Sequence, residues 1–144
     1  MINFTVDGQP KQKERPRFSR ACNYIRTYTP KQTKEYEQHI RDCYLEQVGT
    51  NSMIKDKPMM IEIVAYYSIP KSWSKKRRNL AIYHMLYPTN KIDLDNTAKV
   101  ILDALNGIAY GDDHYVVDLR VKKLYSLTPR VEVSIYELVQ NGEY

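Results

Sequence analysis

Apolar and polar positions alternate at the start of the chain, with Ile2, Phe4 and Val6 on one side, which predicts a half-buried strand ending near Asp7-Gly8. Residues 9 to 29 show no clear period and predict a loop that is ordered, or folded as a hairpin, only in part. Tyr36, Ile40, Cys43, Tyr44 and Val48 then recur at helical spacing. A helix is expected there, with Thr29 as its cap, Pro30 at its first position and Gly49 as its stop. Met59 to Ile69 is apolar and rich in β-branched and aromatic residues, the composition of a central strand, and Pro70 ends it. Ser72 or Ser74 is placed to cap a short helix running through Lys75, Lys76, Arg77 and Arg78 towards Ile82.

The clearest amphipathic segment runs from about Asp95 to Asn106, with Ala98, Ile101, Leu102 and Leu105 on one face and Gly107 as terminator. Beyond it Val117, Leu119 and Val121 alternate with Asp118, Arg120 and Lys122, and Val131, Val133 and Ile135 alternate similarly. With Thr128-Pro129 between them, these two runs predict neighbouring antiparallel strands. The order is strand, helix, strand, short helix, helix, strand, strand. It predicts an α/β chain of the α+β kind, in which helices pack on a mixed sheet. A length of 144 residues suits one domain, 1–144, with one core and one site.

No run of eighteen apolar residues occurs, and the N-terminus lacks the basic start and long apolar stretch of a secretory signal, so a cytoplasmic location and no membrane partner are expected. Cys22 and Cys43 form no Cys-x-x-Cys and have no nearby histidine pair to complete a zinc site, so both read as reduced thiols, Cys43 as a core residue on its helix.

The charge distribution changes this picture more than the net +5 does. From Gly8 to Lys34, eight Lys or Arg face the lone Glu14, leaving a net −2 for the rest of the chain. A basic segment at about 9–29 thus precedes an acidic body. Six of the nine aspartates lie between Asp93 and Asp118, a crowding that is unfavourable unless something cationic sits among them.

Asp93 and Asp95, two apart in an extended segment entering the helix, face one space. Lys99 and Asp103 follow at four-residue steps along one stripe of that helix. Asp112 and Asp113 come after a short loop and can return beside Asp93 and Asp95. Oxygen ligands from two elements, without convergent histidine or cysteine, suit a hard cation such as Mg²⁺, with Mn²⁺ as a substitute. Such a site can activate water and neutralise charge on a phosphodiester, and Lys99 can orient the water or stabilise the developing charge. Taken singly, Asp95 reads equally well as a helix cap, Lys99 and Asp103 as a surface ion pair, and Asp112-Asp113 as a turn. Their joint convergence beside one helix, in a chain with basic flanks, favours the site.

Asp93-Leu-Asp-Asn-x-x-Lys99, Leu102-Asp-Ala-Leu-Asn-Gly107 and Asp112-Asp113 together resemble the RusA family of Holliday junction resolvases. Pro10-Lys-x-Lys-x-Arg-Pro-Arg17, Tyr28-Thr-Pro-Lys31 and Pro70-Lys-Ser-Trp-Ser-Lys-Lys76 also look like members of this family from phages and prophages. The segment Tyr87 to Ile92 departs from the pattern, since relatives often carry more basic residues and a proline before the first aspartate. The resemblance implies a homodimer of mixed α/β subunits that binds four-way junctions and nicks two opposed strands using Mg²⁺. By it Asp93, Asp95 and Asp113 match metal-binding aspartates, Lys99 an essential lysine and Asp112 a supporting acidic position. A twofold dimer would suit the approximate symmetry of a four-way junction.

Lys11, Lys13, Arg15, Arg17, Arg20 and Arg26 in the basic segment, with Lys75, Lys76, Arg77 and Arg78, are the expected phosphate contacts. Phe18, Tyr24, Tyr28 and Trp73 either stack on bases at a branch point or simply pack. His39, His84 and His114 are weaker signals, and His114 reads as an exposed turn residue. Asp93-Leu-Asp-Asn-Thr97 also fits the aspartyl motif of haloacid-dehalogenase-like phosphatases, but the polar Pro88 to Lys91 stands where that motif needs an apolar strand. An EF-hand fails because Ala98 replaces its glycine and Ala104 its last glutamate. The remaining alternatives are a non-catalytic, structure-selective DNA-binding protein and a nuclease for flaps or single strands.

Overall fold

The computed structural model describes residues 1–15, 17–21, 24–90 and 92–141, with only the main chain described at 17, 19–21 and 24–28. The elements are β1 (Ile2–Asp7), β2 (Arg17–Ala21), β3 (Tyr24–Tyr28), α1 (Lys31–Gln47), β4 (Met59–Ser68), α2 (Lys75–Ile82), α3 (Leu94–Leu105), a 3-10 turn (Asp113–Tyr115), β5 (Val116–Ser126) and β6 (Arg130–Glu137). Helices on a mixed four-stranded sheet give the expected α+β class.

The strand order is β1-β6-β4-β5, with β4 antiparallel to β6 and parallel to β5. The expectation that the last two strands pair with each other is therefore corrected. β4 lies between them, and residues 127–129 carry the chain over its end. The reason is burial. Met59, Ile61, Ile63, Ala65 and Tyr67 alternate inward and are almost fully buried, so β4 needs a ladder on both edges. Arg130 holds the crossover, donating to Ser126 Oγ at 3.1 Å and to the Thr128 carbonyl at 2.9 Å while its guanidinium lies 4.0 Å from the centre of the Tyr66 ring. The parallel pairing of β4 with β5 requires a long connection, and α2 and α3 supply it.

Phe4, Val6, Ile61, Ile63, Val131, Val133 and Ile135 from the sheet meet Tyr36, Ile40 and Tyr44 of α1 and Ile101 and Leu105 of α3 in one core. Each such fully buried aliphatic side chain contributes about 1.5–3 kcal/mol. The α3 stripe is wider than its sequence reading, because Thr97, Val100 and Ala104 are buried beside Ala98, Ile101 and Leu105, while Leu102 is only partly buried. Val117 and Leu119 are exposed rather than inward. Val117 sits at a register shift of the edge strand β5, and Leu119, in register with the buried Ile61, is left open at that edge.

One boundary also moves, and one open choice is decided. Pro30 is the cap residue of α1, extended at φ −55° and ψ 146°, and the helix begins at Lys31. Ser74, not Ser72, caps α2, its hydroxyl accepting from the Arg77 N–H at 3.3 Å. Within the segment read as a loop or hairpin ordered only in part, β2 and β3 pair antiparallel as a two-stranded sheet separate from the main one. Among the described residues, no helix is long and apolar enough to cross a membrane.

Candidate active site

The N-terminus of α3 is anchored from three sides. Asp93 is its cap residue. The Asp93 N–H donates to Gln12 Oε1 at 2.9 Å, and the Asp93 carbonyl accepts both the Thr97 N–H and the Thr97 hydroxyl at 3.0 Å. Thr97 is buried, and its oxygen lies 3.4 Å from the Tyr67 hydroxyl on β4. A chain of hydrogen bonds thus runs from the sheet to the Asp93 main chain. Among the described residues the Asp93 carboxylate accepts from the Asn96 amide alone, at 3.2 Å, and both Asp93 and Asp95 face solvent.

Asp112 and Asp113 reach the site through a folded loop. Gly107, at φ +81°, turns the chain out of α3 in a conformation that favours glycine. The buried Tyr110 then pins the loop by donating its hydroxyl to the Leu102 carbonyl at 2.7 Å. Asp112 caps the 3-10 turn, accepting from the Asp113 N–H at 2.8 Å and pairing with His114 Nδ1 at 2.7 Å. The His114 contact and the Asp113 N–H hold its carboxyl below the ordinary carboxylate range. Asp113 is the opposite case. Burial, with Asp112 and Asp103 close by, holds its carboxyl above that range. Burial and the same three acids, Asp113, Asp103 and Asp112, keep the Tyr110 phenol protonated.

The structure therefore brings Asp103, Asp112 and Asp113 into one electrostatic neighbourhood at Tyr110. Among the described residues, the donor atoms of Asp93, Asp95 and Asp113 do not all approach within 4.8 Å of one another. Lys99 is exposed and, among the described residues, makes no ion pair, so it is not the partner of Asp103. Lys13 takes that place, binding Asp103 Oδ2 at 3.1 Å and Glu37 as well, while its main-chain N–H donates to the Asn96 carbonyl at 2.9 Å. Lys13 was expected on phosphate, but its ammonium points inward between α1 and α3.

The other cationic positions divide similarly. Lys11, Arg15, Lys75, Lys76 and Arg77 are exposed. Arg77 stacks its guanidinium 3.8 Å above the Trp73 ring, which in turn packs edge-on against Tyr125. Arg78 is tied to the Pro70 carbonyl at 3.2 Å. Phe18 is exposed. The side chains of Arg17, Arg20, Arg26, Tyr24 and Tyr28, and the whole of Cys22, lie outside the described residues. Between the arm and α1 a cleft of about 330 Å³, lined by Gln9, Lys11, Gln12, Thr33, Tyr67 and Ile92, opens next to the start of α3.

Sequence reasoning missed Gln12, the Thr97–Tyr67 pair and Tyr110. Their only sequence signal is a polar residue within an otherwise apolar stripe or loop, and such a residue is usually there to satisfy a buried partner.

Oxygen-only carboxylates and exposed cations on a small α+β domain are groups chemically suited to a DNA phosphodiester. Residues 7–136 match the family of endodeoxyribonuclease RusA. The chain belongs to that family and is an endonuclease that resolves Holliday junctions, acting on branched DNA. It is also 38% identical over 139 residues to the uncharacterized protein YqaN of Bacillus subtilis (strain 168), a match covering 95% of this chain and 96% of that one.

Proposed function

We propose that this chain cuts the junction by Mg²⁺-dependent hydrolysis at Asp93, Asp95 and Asp113, with Asp112 and Lys99 in support. The observation that carries this reading is the contrast within the acidic pair. Asp112 spends its carboxylate on the turn and on His114, whereas Asp113 is crowded by burial, Asp112 and Asp103, a crowding that a cation would relieve. The donor set fits the ion: all oxygen, from a helix start and a turn, with room left for water and phosphate.

Bound Mg²⁺ would neutralise phosphate charge and activate the attacking water, and Mn²⁺ has the same ligand preference. Asp93 and Asp95 would hold it from the α3 side and Asp113 from the turn. The hydrogen bonds from Gln12, Thr97 and Tyr67 keep the Asp93 main chain still while its carboxylate binds. Lys99, exposed one helical turn beyond Asp95, would stabilise charge developing on the phosphate. Asp112 would set the turn that presents Asp113.

Lys11, Arg15, Arg17, Arg20 and Arg26 of the arm, with Lys75, Lys76 and Arg77 of α2, would contact phosphates on the junction arms. Arg78, tied to Pro70, would shape α2. Paired nicks require two sites, and a homodimer supplies them with the symmetry of the substrate. The exposed edge of β5, with Val117 and Leu119 outward, is the surface offered to a second copy. The location would be cytoplasmic.

The test is cleavage of a synthetic four-way junction across a Mg²⁺ titration, beside linear duplex, flap and single-stranded DNA. Paired, junction-selective nicks that require the cation support the reading. Equal cutting of every substrate, or cutting unaffected by chelation, would overturn it.

A further inference from the structure

A second cluster of donor atoms lies between α1 and the end of β1. His39 and Cys43, one helical turn apart, face Asp7, the last residue of β1. His39 Nε2 lies 3.2 Å from Asp7 Oδ1, Cys43 Sγ lies 3.6 Å from the same oxygen, and His39 Nε2 lies 3.8 Å from Cys43 Sγ. Among the described residues, this trio is the group of three whose donor atoms all come within 4.8 Å of one another. We propose that Asp7, His39 and Cys43 form a binding site for a borderline-soft divalent cation, Zn²⁺ above all, distinct from the nuclease site.

The argument is geometric. Tetrahedral Zn²⁺, with bonds of about 2.3 Å to sulfur and about 2.0–2.2 Å to nitrogen and oxygen, separates its ligand atoms by about 3.3–3.6 Å. The three separations found here fall close to that range without any movement of the helix. The ligands also come from a prepared frame. One turn further along α1, Gln47 grips β1 by a pair of hydrogen bonds, its Oε1 accepting from the Thr5 N–H at 2.8 Å and its Nε2 donating to the Thr5 carbonyl at 2.6 Å. This clamp sets the distance between β1 and α1 before any ion arrives.

Chemistry separates the two sites. Thiolate and imidazole select Zn²⁺, while the all-oxygen site near α3 suits Mg²⁺. Cys43 is buried, His39 half-exposed and Asp7 open to solvent, so the cation has an entry path and a fourth position for water. Binding breaks the Cys43 S–H bond, forms the S–Zn bond and passes that proton to solvent, while His39 gives up its 2.9 Å contact to the Asp7 carbonyl and carries its proton on Nδ1, freeing Nε2 to ligate. Asp7 and Gly8 are where β1 leaves the sheet for the basic arm, and Gly8 turns there at φ +94°. The ion would fasten the root of that arm to α1.

Co²⁺ is the probe, because a bound thiolate gives a charge-transfer absorption that carboxylates do not. Chelator-stripped full-length protein is titrated with Co²⁺, and then with Zn²⁺ in competition, while circular dichroism follows the fold. The expected result is a thiolate band saturating at one ion per chain and displaced by Zn²⁺. Cys43→Ser should abolish it, and both Cys22→Ser and Asp113→Asn should keep it. His39→Gln and Asp7→Asn, at exposed positions that leave the core intact, should weaken binding at least by the about tenfold that losing even a supporting partner costs a metal site. A folded wild-type chain without the band, a band that survives Cys43→Ser or vanishes in Cys22→Ser, or full affinity in both His39→Gln and Asp7→Asn would overturn the proposal. The trio would then be an ion pair beside a buried thiol.

Discussion

Lys13 reaches from the basic arm to Asp103 on α3, Nζ to Oδ2 at 3.1 Å, and binds Glu37 of α1 with the same ammonium. Burial opposes the charge, but the two carboxylates outweigh it and raise the Lys13 pKa above the ordinary lysine value. A raised lysine stabilises the fold fully below its unfolded value and loses that contribution as pH climbs through the folded one. Lys13→Met should therefore lower stability by about 1–3 kcal/mol at neutral pH. Urea denaturation curves at neutral and strongly alkaline pH check this, with the difference between variant and wild type shrinking at the alkaline end.

Lys75 and Lys76 present the contrasting case, exposed on α2 with no ion pair among the described residues. Lys75→Gln and Lys76→Gln should each reduce the slope of log affinity against log salt by about 0.9, the share of one phosphate contact. Lys13→Met should leave that slope unchanged. Junction-binding isotherms at several salt concentrations distinguish the two kinds of lysine.

Asp113 is held above the ordinary carboxylate range by burial, Asp112 and Asp103. A carboxyl with a raised folded pKa binds its proton more tightly folded than unfolded, so its ionisation above that pKa works against the fold. In the absence of divalent ions, Asp113→Asn should melt at the same temperature as wild type or higher at neutral pH, with the advantage fading in acid. The same variant should lose cleavage. Thermal melts in chelator, beside junction nicking in Mg²⁺, read both effects.

Thr97 links the sheet to the site by donating to the Asp93 carbonyl at 3.0 Å and lying 3.4 Å from the Tyr67 hydroxyl. Thr97→Val keeps its shape and removes its oxygen, leaving the Tyr67 hydroxyl buried without that partner. A loss of about 1–3 kcal/mol is expected, with slower nicking at saturating DNA. Thr97→Ser should retain both stability and rate. Single-turnover cleavage separates this positioning effect from a loss of affinity.

The amphipathic parts of the fold were legible because burial on one face writes a period into the chain. Phe4 and Val6, Tyr36 to Tyr44 and Ile101 to Leu105 all lie where their spacing placed them. The strand order was not legible, since periodicity at Val131 to Ile135 reports which side is buried but not which strand lies alongside. The insertion of β4 between β5 and β6 is a tertiary choice. At the site, the charge crowding around Asp103, Asp112 and Asp113 was legible as a run of aspartates, while the role of Lys13 was not. One lysine among many in a basic run looks like a phosphate contact until Glu37 and Asp103 are seen beneath it. His39 and Cys43 stood at helical spacing, but their third partner, Asp7, lies 32 residues before His39 in sequence.

The most direct measurement compares wild type with Asp95→Asn on one four-way junction, following binding by gel shift and nicking in Mg²⁺ on the same samples. Asp95 is exposed at the start of α3, and its substitution leaves the core untouched. Undiminished junction binding with cleavage reduced by orders of magnitude is the predicted result. Cleavage at the wild-type rate, or binding and folding lost together with it, would contradict a catalytic role for this aspartate cluster.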